Sequence, residues 1–376
     1  MSANGILVAT GQPTIEPSFE DPRSSWKFVV RYNSPFHSAT TANKVTLSEN
    51  VTTVVMMKVG VVKYEDRPVP ELSDPHAVLV RVCFTGICGS DVHYYTHGGI
   101  GKYVVKQPMV LGHESAGVVH AVGSAVKSLV PGDRVAMEPG APCRHCTRCL
   151  EGRYNLCPDM VFAATPPVDG TLAKFYVMPE DFCYKLPPHV SMEEGALLEP
   201  AAVAVHFCRL AQVAPGHRVV VFGAGPVGLL ACKVARGVYG ATTVVAVDVN
   251  QERLAFAEKH GATHVYQSTP GLTPQEMAQE IIAQCALGDG ADVVIDASGA
   301  EPCIQAAVYV ARNGGVFMQG GMGKVRDLEE LWNDGGGGLS VKELISKIVP
   351  FEQAKEAFDN VKIGNGIKWL IEGPKN

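Results

Sequence analysis

No stretch of the sequence approaches the ~18 consecutive apolar residues of a membrane-crossing helix, so no bilayer partner is expected. It has no excess of positive charge either: 32 Lys and Arg stand against 38 Asp and Glu, for a net charge of −6. Proteins that neutralise phosphates do so with clustered cations, so this balance speaks against nucleic acid and anionic membrane as partners. The N-terminus lacks the apolar core of a secretory signal, and Glu16, Glu20 and Asp21 are out of place in a mitochondrial presequence. There are no internal repeats. The cysteine count is odd, 11, without the spacing of a small disulfide scaffold. Cys208, Cys232, Cys285 and Cys303 fall in apolar runs and read as buried thiols, which fits a reducing compartment and a cytoplasmic location.

At 376 residues, 46% hydrophobic and 19% charged, the chain is long enough for two domains with their own cores. Its 39 Gly and 25 Pro predict many turns. Residues 1–50 are polar, with no sustained period, and read as a disordered or loosely attached extension. From Val51 to about Phe182, short β runs such as Ala77–Cys83, Ser115–Val122 and Asp133–Met137 alternate with Gly and Pro, which predicts a β-rich, barrel-like domain. From about Val190 the pattern changes. Strands at 217–222, 243–247, 264–266, 291–295 and 315–319 alternate with helices running to Tyr239 and over 251–260, 274–286 and 301–311. This predicts an α/β domain with a parallel sheet covered on both faces. The tail predicts an amphipathic helix over 351–358 and a strand over 367–371 that rejoins the first domain.

Three clusters carry chemistry. Cys88 lies in Gly86-Ile-Cys-Gly-Ser-Asp-Val-His93, and His113 in Gly112-His-Glu114. A thiol and an imidazole on separate turns, with a carboxylate beside them, are the ligands of a catalytic zinc that keeps one position open. Glu114 is either a ligand or a supporting carboxylate. Glu199, in Leu198-Glu-Pro200, either binds the metal or hydrogen-bonds its water. The second cluster, Cys143, Cys146, Cys149 and Cys157, has C-x2-C-x2-C-x7-C spacing and matches a closed structural zinc. It lacks the paired His and basic helix of a nucleic-acid-binding finger.

The third cluster is Gly223-Ala-Gly225-Pro-Val-Gly228, which follows a strand and opens a helix, with Asp248 20 residues after Gly228. Gly223 allows the tight turn, Gly225 the approach of a pyrophosphate, and Gly228 close helix–strand packing. Asp248 would accept hydrogen bonds from the adenosine ribose and repel a 2′-phosphate, which predicts NAD over NADP. Arg253, five residues on, is the one residue placed to tolerate a phosphate.

Together these motifs resemble the zinc-dependent medium-chain alcohol dehydrogenases, on their polyol-oxidising branch. The resemblance runs from about Asp66 to Lys324, and Gly98–Glu114 is nearer the xylitol-oxidising members than the L-arabinitol-oxidising ones. It implies a GroES-like catalytic domain at 51–198 and 339–376 and a Rossmann NAD-binding domain at 199–338. It implies a catalytic zinc on Cys88, His113 and Glu114, with Glu199 near its water and the substrate. Asp91 would orient His113, Tyr94 would contact substrate, and Ser90 and His93 would relay the alcohol proton. Val227, Asp248, Arg253, Gly320, Gly321 and Met322 fall at NAD-contact positions. The implied reaction is reversible oxidation of a polyol to a ketose, xylitol before sorbitol or L-arabinitol.

The resemblance breaks between Lys324 and Leu339. Val325–Gly338 is too short to hold the family's next strand, with its substrate-binding Arg-Tyr pair, and the helix after it. The family suggests a homo-oligomer, but the strand that would pair subunits is expected to be missing. A non-catalytic protein that still binds zinc and NAD is therefore the alternative reading.

Overall fold

The computed structural model describes residues 6–9, 29–32, 50–322, 347–350 and 369–372. The chain divides into two compact units, Met1–Glu199 and Pro200–Asn376.

In the first unit the strand Ala77–Gly86 is central. Its run of Val, Leu and Phe suits a strand buried on both faces. It pairs antiparallel with Glu114–Val122 along its length and with Phe175–Pro179 over its first half. Arg134–Met137 and then Cys183–Lys185 extend the sheet beyond Glu114–Val122. Val78, Val80 and Val82 alternate onto one face, where they pack with Val119, Val135 and Met178. The register slips between Val82 and Phe84, so Cys83 is an extra residue. Such a bulge re-aims the residues after it. Beyond it, Thr85 faces Ser115 and Gly86 faces Glu114 across the two strands.

Within residues 1–50, where composition predicts no regular structure, two short strands are described. Ile6–Ala9 pairs in parallel with Val29–Tyr32, which joins the end of Ala77–Gly86. Val29-Val-Arg-Tyr32 has the β-branched and aromatic content of a strand but is too short to show a period.

The second unit holds a parallel sheet of five strands among the described residues, in the order His264–Gln267, Thr243–Asp248, Arg218–Phe222, Ala291–Asp296, Ala311–Gln319. Val219 and Val221 pack into one apolar cluster and Val220 and Phe222 into another, so both faces are covered. Local chemistry sets the helix starts. The Asn250 side chain caps Gln251–His260, and Thr273 with Glu276 forms a capping box on Pro274–Gln284.

One boundary differs from the pattern. The last helix among the described residues, Glu301–Val310, passes directly into the strand Ala311–Gln319, four residues before the predicted start. Arg312–Gly315 then bulge out, because the ladder steps from Ala291–Ala311 to Val293–Val316. Gly314, at φ +74°, makes the turn, and Arg312 Nε is held 2.6 Å from Asp292 Oδ1. In the tail, Trp369–Glu372 pairs in parallel with Lys347–Pro350, its partner among the described residues. The segment 325–338 and the helix predicted over 351–358 lie outside the described residues.

Candidate active site

Cys88 precedes the helix Gly89–His97, and Glu114 is the first residue of its strand. The Cys88 thiol, an imidazole nitrogen of His113 and a carboxylate oxygen of Glu114 all lie within 4.8 Å of one another. His113 is 7% exposed and Glu114 1%. A carboxylate that deeply buried is costly unless a cation or several donors attend it. The strand pairing makes the room. A Cβ on Gly86 would overlap Glu114 Oε2, so glycine is what lets the carboxylate lie across that strand. Gly112, at φ +91°, has no such room either, since a Cβ would lie 2.6 Å from Thr85 Cγ2 and 2.9 Å from Leu172 Cγ. Sulfur, nitrogen and oxygen donors gathered at this separation fit a zinc ion with one position left open.

Asp91, 3% exposed, ties the two ligand-bearing loops together. Its Oδ2 accepts the Cys88 N–H at 2.9 Å, and its Oδ1 accepts the Gly112 N–H at 2.9 Å. Oδ1 also lies 3.7 Å from His113 Nδ1. Burial would lower the basicity of His113, but the charge and hydrogen bonding of Asp91 overcome this and raise it well above the usual imidazole range. Burial likewise works against the Asp91 carboxylate. The His113 charge and the two N–H donors nevertheless hold its pKa below the ordinary value.

The sequence motifs gave no hint of a hydroxyl cluster beneath this site. Ser115 Oγ lies 2.5 Å from Thr171 Oγ1 and 3.0 Å from Thr85 Oγ1, and Thr85 Oγ1 donates to the Thr171 carbonyl at 3.2 Å. All three residues are buried. They pin the rung of the sheet next to Gly86 and Glu114. The only sequence signal is a Thr and a Ser at facing positions of two apolar strands.

The other expected residues are placed as follows. Ser90 is half-buried in the first turn of Gly89–His97, and His93 is exposed on the same helix. Burial and then the charge of His97 lower the His93 pKa. Tyr94 is 4% exposed and packs with Val55, Met56 and Met109. Burial raises its pKa, against a hydrogen bond with Thr165 and the nearby His113. Tyr94 is thus chiefly a core residue. Glu199 stands in the first turn of Leu198–Leu210 and is not among the three converging ligands.

The four cysteines form a second group within 4.8 Å. The Cys146–Cys149 sulfurs are 3.5 Å apart, and Cys143–Cys149 and Cys146–Cys157 are each 3.9 Å apart. A zinc–sulfur bond of about 2.3 Å implies tetrahedron edges of about 3.8 Å, whereas a disulfide needs about 2.05 Å. The Cys146 N–H points at Cys143 Sγ, and the Cys143 N–H at Cys157 Sγ, both at 3.3 Å. The His145 N–H holds the Cys143 thiol down to about 6, while desolvation and the neighbouring thiols push Cys149 up to about 12. Four sulfurs this close share negative charge badly without a cation, so the donor set fits a structural zinc.

At the carboxyl edge of the parallel sheet, Gly223 has φ +93°, and a Cβ there would lie 2.9 Å from the Ser298 nitrogen. A Cβ on Gly228 would overlap the Gly223 carbonyl oxygen. Gly225 is the N-cap of Pro226–Gly237, so that helix begins with open N–H groups suited to phosphate. Val227 packs partly into the core. Asp248 Oδ2 accepts the Ala224 N–H at 2.7 Å, and its Oδ1 accepts the Asn250 N–H at 2.9 Å. Arg253 Nη1 lies 4.0 Å from Asp248 Oδ2.

A further residue organises this edge. Asp296, fully buried, accepts the Ser298 hydroxyl at 2.7 Å and the Ser298 and Gly299 N–H groups at 3.0 and 3.2 Å. Its carbonyl accepts the N–H groups of Gly320 and Gly321 at 2.8 and 2.9 Å. Gly320 and Gly321 are thereby held in place, and Met322 follows them, 45% exposed. An Asp closing an apolar strand before Ala-Ser-Gly was the available signal.

Two family models match the chain: the alcohol dehydrogenase GroES-like domain over residues 74–188, and the zinc-binding dehydrogenase over residues 226–347. The chain is 54% identical over 344 residues to a probable D-xylulose reductase A of Aspergillus terreus, which covers 85% of this chain and 97% of that one. Among solved structures, an oxidoreductase of unknown specificity from Escherichia coli is 34% identical with a TM-score of 0.68, covering 87% of this chain and 100% of that one. A short chain alcohol dehydrogenase from E. coli CFT073 complexed with NADH is 25% identical with a TM-score of 0.65, covering 84% and 96%. Donor sets suited to zinc, a dinucleotide-type sheet edge and these near-full-length likenesses agree: the chain belongs to the zinc-dependent medium-chain alcohol dehydrogenases, built of a GroES-like and a Rossmann domain.

Proposed function

We propose that this protein oxidises xylitol to D-xylulose with NAD, reversibly. The observation that carries the reading is the convergence of Cys88, His113 and Glu114 within 4.8 Å, in a chain 54% identical to D-xylulose reductases. We assign the catalytic zinc to these three residues and the structural zinc to Cys143, Cys146, Cys149 and Cys157. A zinc ion at the first site supplies Lewis-acid polarisation of an alcohol oxygen. Asp91 positions His113 and keeps the Cys88 and Gly112 loops together. Ser90 and the exposed His93 take the hydroxyl proton towards solvent, and Glu199 serves the same site. NAD bound at the Gly223–Gly228 edge would supply the acceptor for the carbon-bound hydrogen, taken as hydride.

Support for NAD over NADP comes from Asp248. Each of its oxygens uses one acceptor position on a backbone N–H and has another for a ribose hydroxyl. Arg253 lies towards this carboxylate, where a 2′-phosphate would have to compete with it. Val227, Gly320, Gly321 and Met322 complete the proposed dinucleotide contacts. No described helix is long and apolar enough to cross a membrane. None of the 11 cysteines is paired in a disulfide, which supports a reducing, cytoplasmic setting. We further propose that residues 339–376 belong with the catalytic domain, and that subunit pairing is weakened by the short segment after Lys324.

The test is NADH formation by the zinc-loaded protein on xylitol, sorbitol and L-arabinitol in parallel. Fastest turnover on xylitol is expected. A folded sample with two zincs and no turnover on any of them would instead leave a zinc- and NAD-binding protein without catalysis.

A further inference from the structure

The helix Gly89–His97 carries two histidines one turn apart, His93 and His97, both exposed. Residues four apart on a helix share a face, the arrangement by which paired histidines chelate a metal. Their ring centres are 5.5 Å apart and the planes are inclined at 35°. Two imidazoles on one zinc at nearly tetrahedral angle, with bonds of about 2.05 Å, have centres about 5.2 Å apart. The observed spacing is therefore close to that of two rings sharing an ion.

The hydrogen bonds around His97 prepare it for this role. Thr96 Oγ1 donates its single hydrogen to the Val92 carbonyl at 2.7 Å. The same oxygen lies 2.7 Å from His97 Nδ1. With its hydrogen committed, Thr96 can only accept, so neutral His97 carries its proton on Nδ1 and presents a lone pair on Nε2. Fixing one ring nitrogen by a hydrogen bond orients the other as a ligand and raises its basicity. His97 is also the last residue of the helix, where the dipole favours positive charge.

We propose that His93 and His97 form a bidentate surface site for a divalent transition-metal ion such as Zn2+, with water in the remaining positions. It is separate from both the Cys88–His113–Glu114 set and the four-cysteine lobe. Its consequence rests on the proposed function: an ion here occupies the His93 nitrogen needed to pass the alcohol proton outward, so zinc beyond that needed to load the enzyme slows turnover.

The experiment dialyses holoenzyme against graded Zn2+ and counts bound metal per chain, with turnover measured on the same samples. Wild type should take up one more ion than H97A and H97Q, and the inhibition of each variant is read against its own turnover without added Zn2+. T96V, which frees the tautomer, should bind that ion more weakly than wild type. Inhibition of H97A should need at least tenfold more Zn2+ than inhibition of wild type. Equal uptake by wild type, H97A and H97Q would overturn the site. Unequal uptake with equal inhibition would keep the site and overturn the part given to His93. If no variant oxidises a polyol, the uptake comparison still decides the site, apart from the functional reading.

Discussion

Substituting Asp91→Asn removes one charge while keeping the side chain's shape, and the structure dictates the effect. Each Asp91 oxygen accepts a backbone N–H at 2.9 Å, one from Cys88 and one from Gly112. An Asn amide has one oxygen and one NH2. Whichever way it is turned, the NH2 faces a buried N–H, so one loop loses its acceptor and meets a donor instead. A hydrogen bond to a charged group contributes about 1.5–3 kcal/mol, so the first unit should lose about 2 kcal/mol. For a unit of this size that is about 4–8 °C in Tm. Loss of the carboxylate beside His113 also loosens a ligand, at about 10–100-fold in metal affinity. Calorimetry reads the first effect, and zinc release to a chromogenic chelator reads the second. The four-cysteine zinc should be released as in wild type and serves as the internal control. A D91N protein with wild-type Tm and both zincs released at wild-type rates would refute the reasoning, because it would mean that Asp91 bridges nothing that matters.

Gly86→Ala places a methyl group on the Glu114 carboxylate; zinc content should fall towards the single ion of the cysteine lobe, and two tightly held zincs would contradict the assigned geometry. Asp248→Ser removes a charged acceptor and should raise the KM for NAD about 10–100-fold, with NADP use relatively improved; an unchanged cofactor preference in steady-state kinetics would remove Asp248 from this role. Asp292 bears on acid stability. Burial raises its pKa, but the Arg218 N–H and the Arg312 and Arg218 side chains bring it down to about 2, from 3.8. Its folded pKa is the lower one, so its contribution is full above about pH 4 and is lost as pH falls towards 2, about 2 kcal/mol in all. The stability gap between wild type and D292N in denaturant titrations should therefore be wide at neutral pH and close on acidification, and a gap independent of pH would count against this.

The parts of the site legible in the sequence are those made within short loops. Cys143 to Cys157 span one lobe, Gly223 to Gly228 one turn, and His113 and Glu114 are neighbours. What stayed hidden depends on strand register. Thr85, Ser115 and Thr171 meet because a bulge at Cys83 brings Thr85 opposite Ser115, and no local pattern encodes that. Asp296 reads as an ordinary strand end until Gly320 and Gly321 are seen to donate to its carbonyl. The early start of Ala311–Gln319 was masked by its Arg-Asn-Gly-Gly bulge, which has turn composition within a strand.

Asp296 has a mechanical consequence. Its side chain fastens the turn that follows its own strand, and its carbonyl fastens the turn that follows the next one. Two loops that sequence separates by some twenty residues thus have one hinge between them. Neither can swing away from the sheet while the other stays, so amide hydrogens at Ser298, Gly299, Gly320 and Gly321 share a single opening event. A cofactor that steadies one of these turns steadies both, and the cost of ordering them is met once.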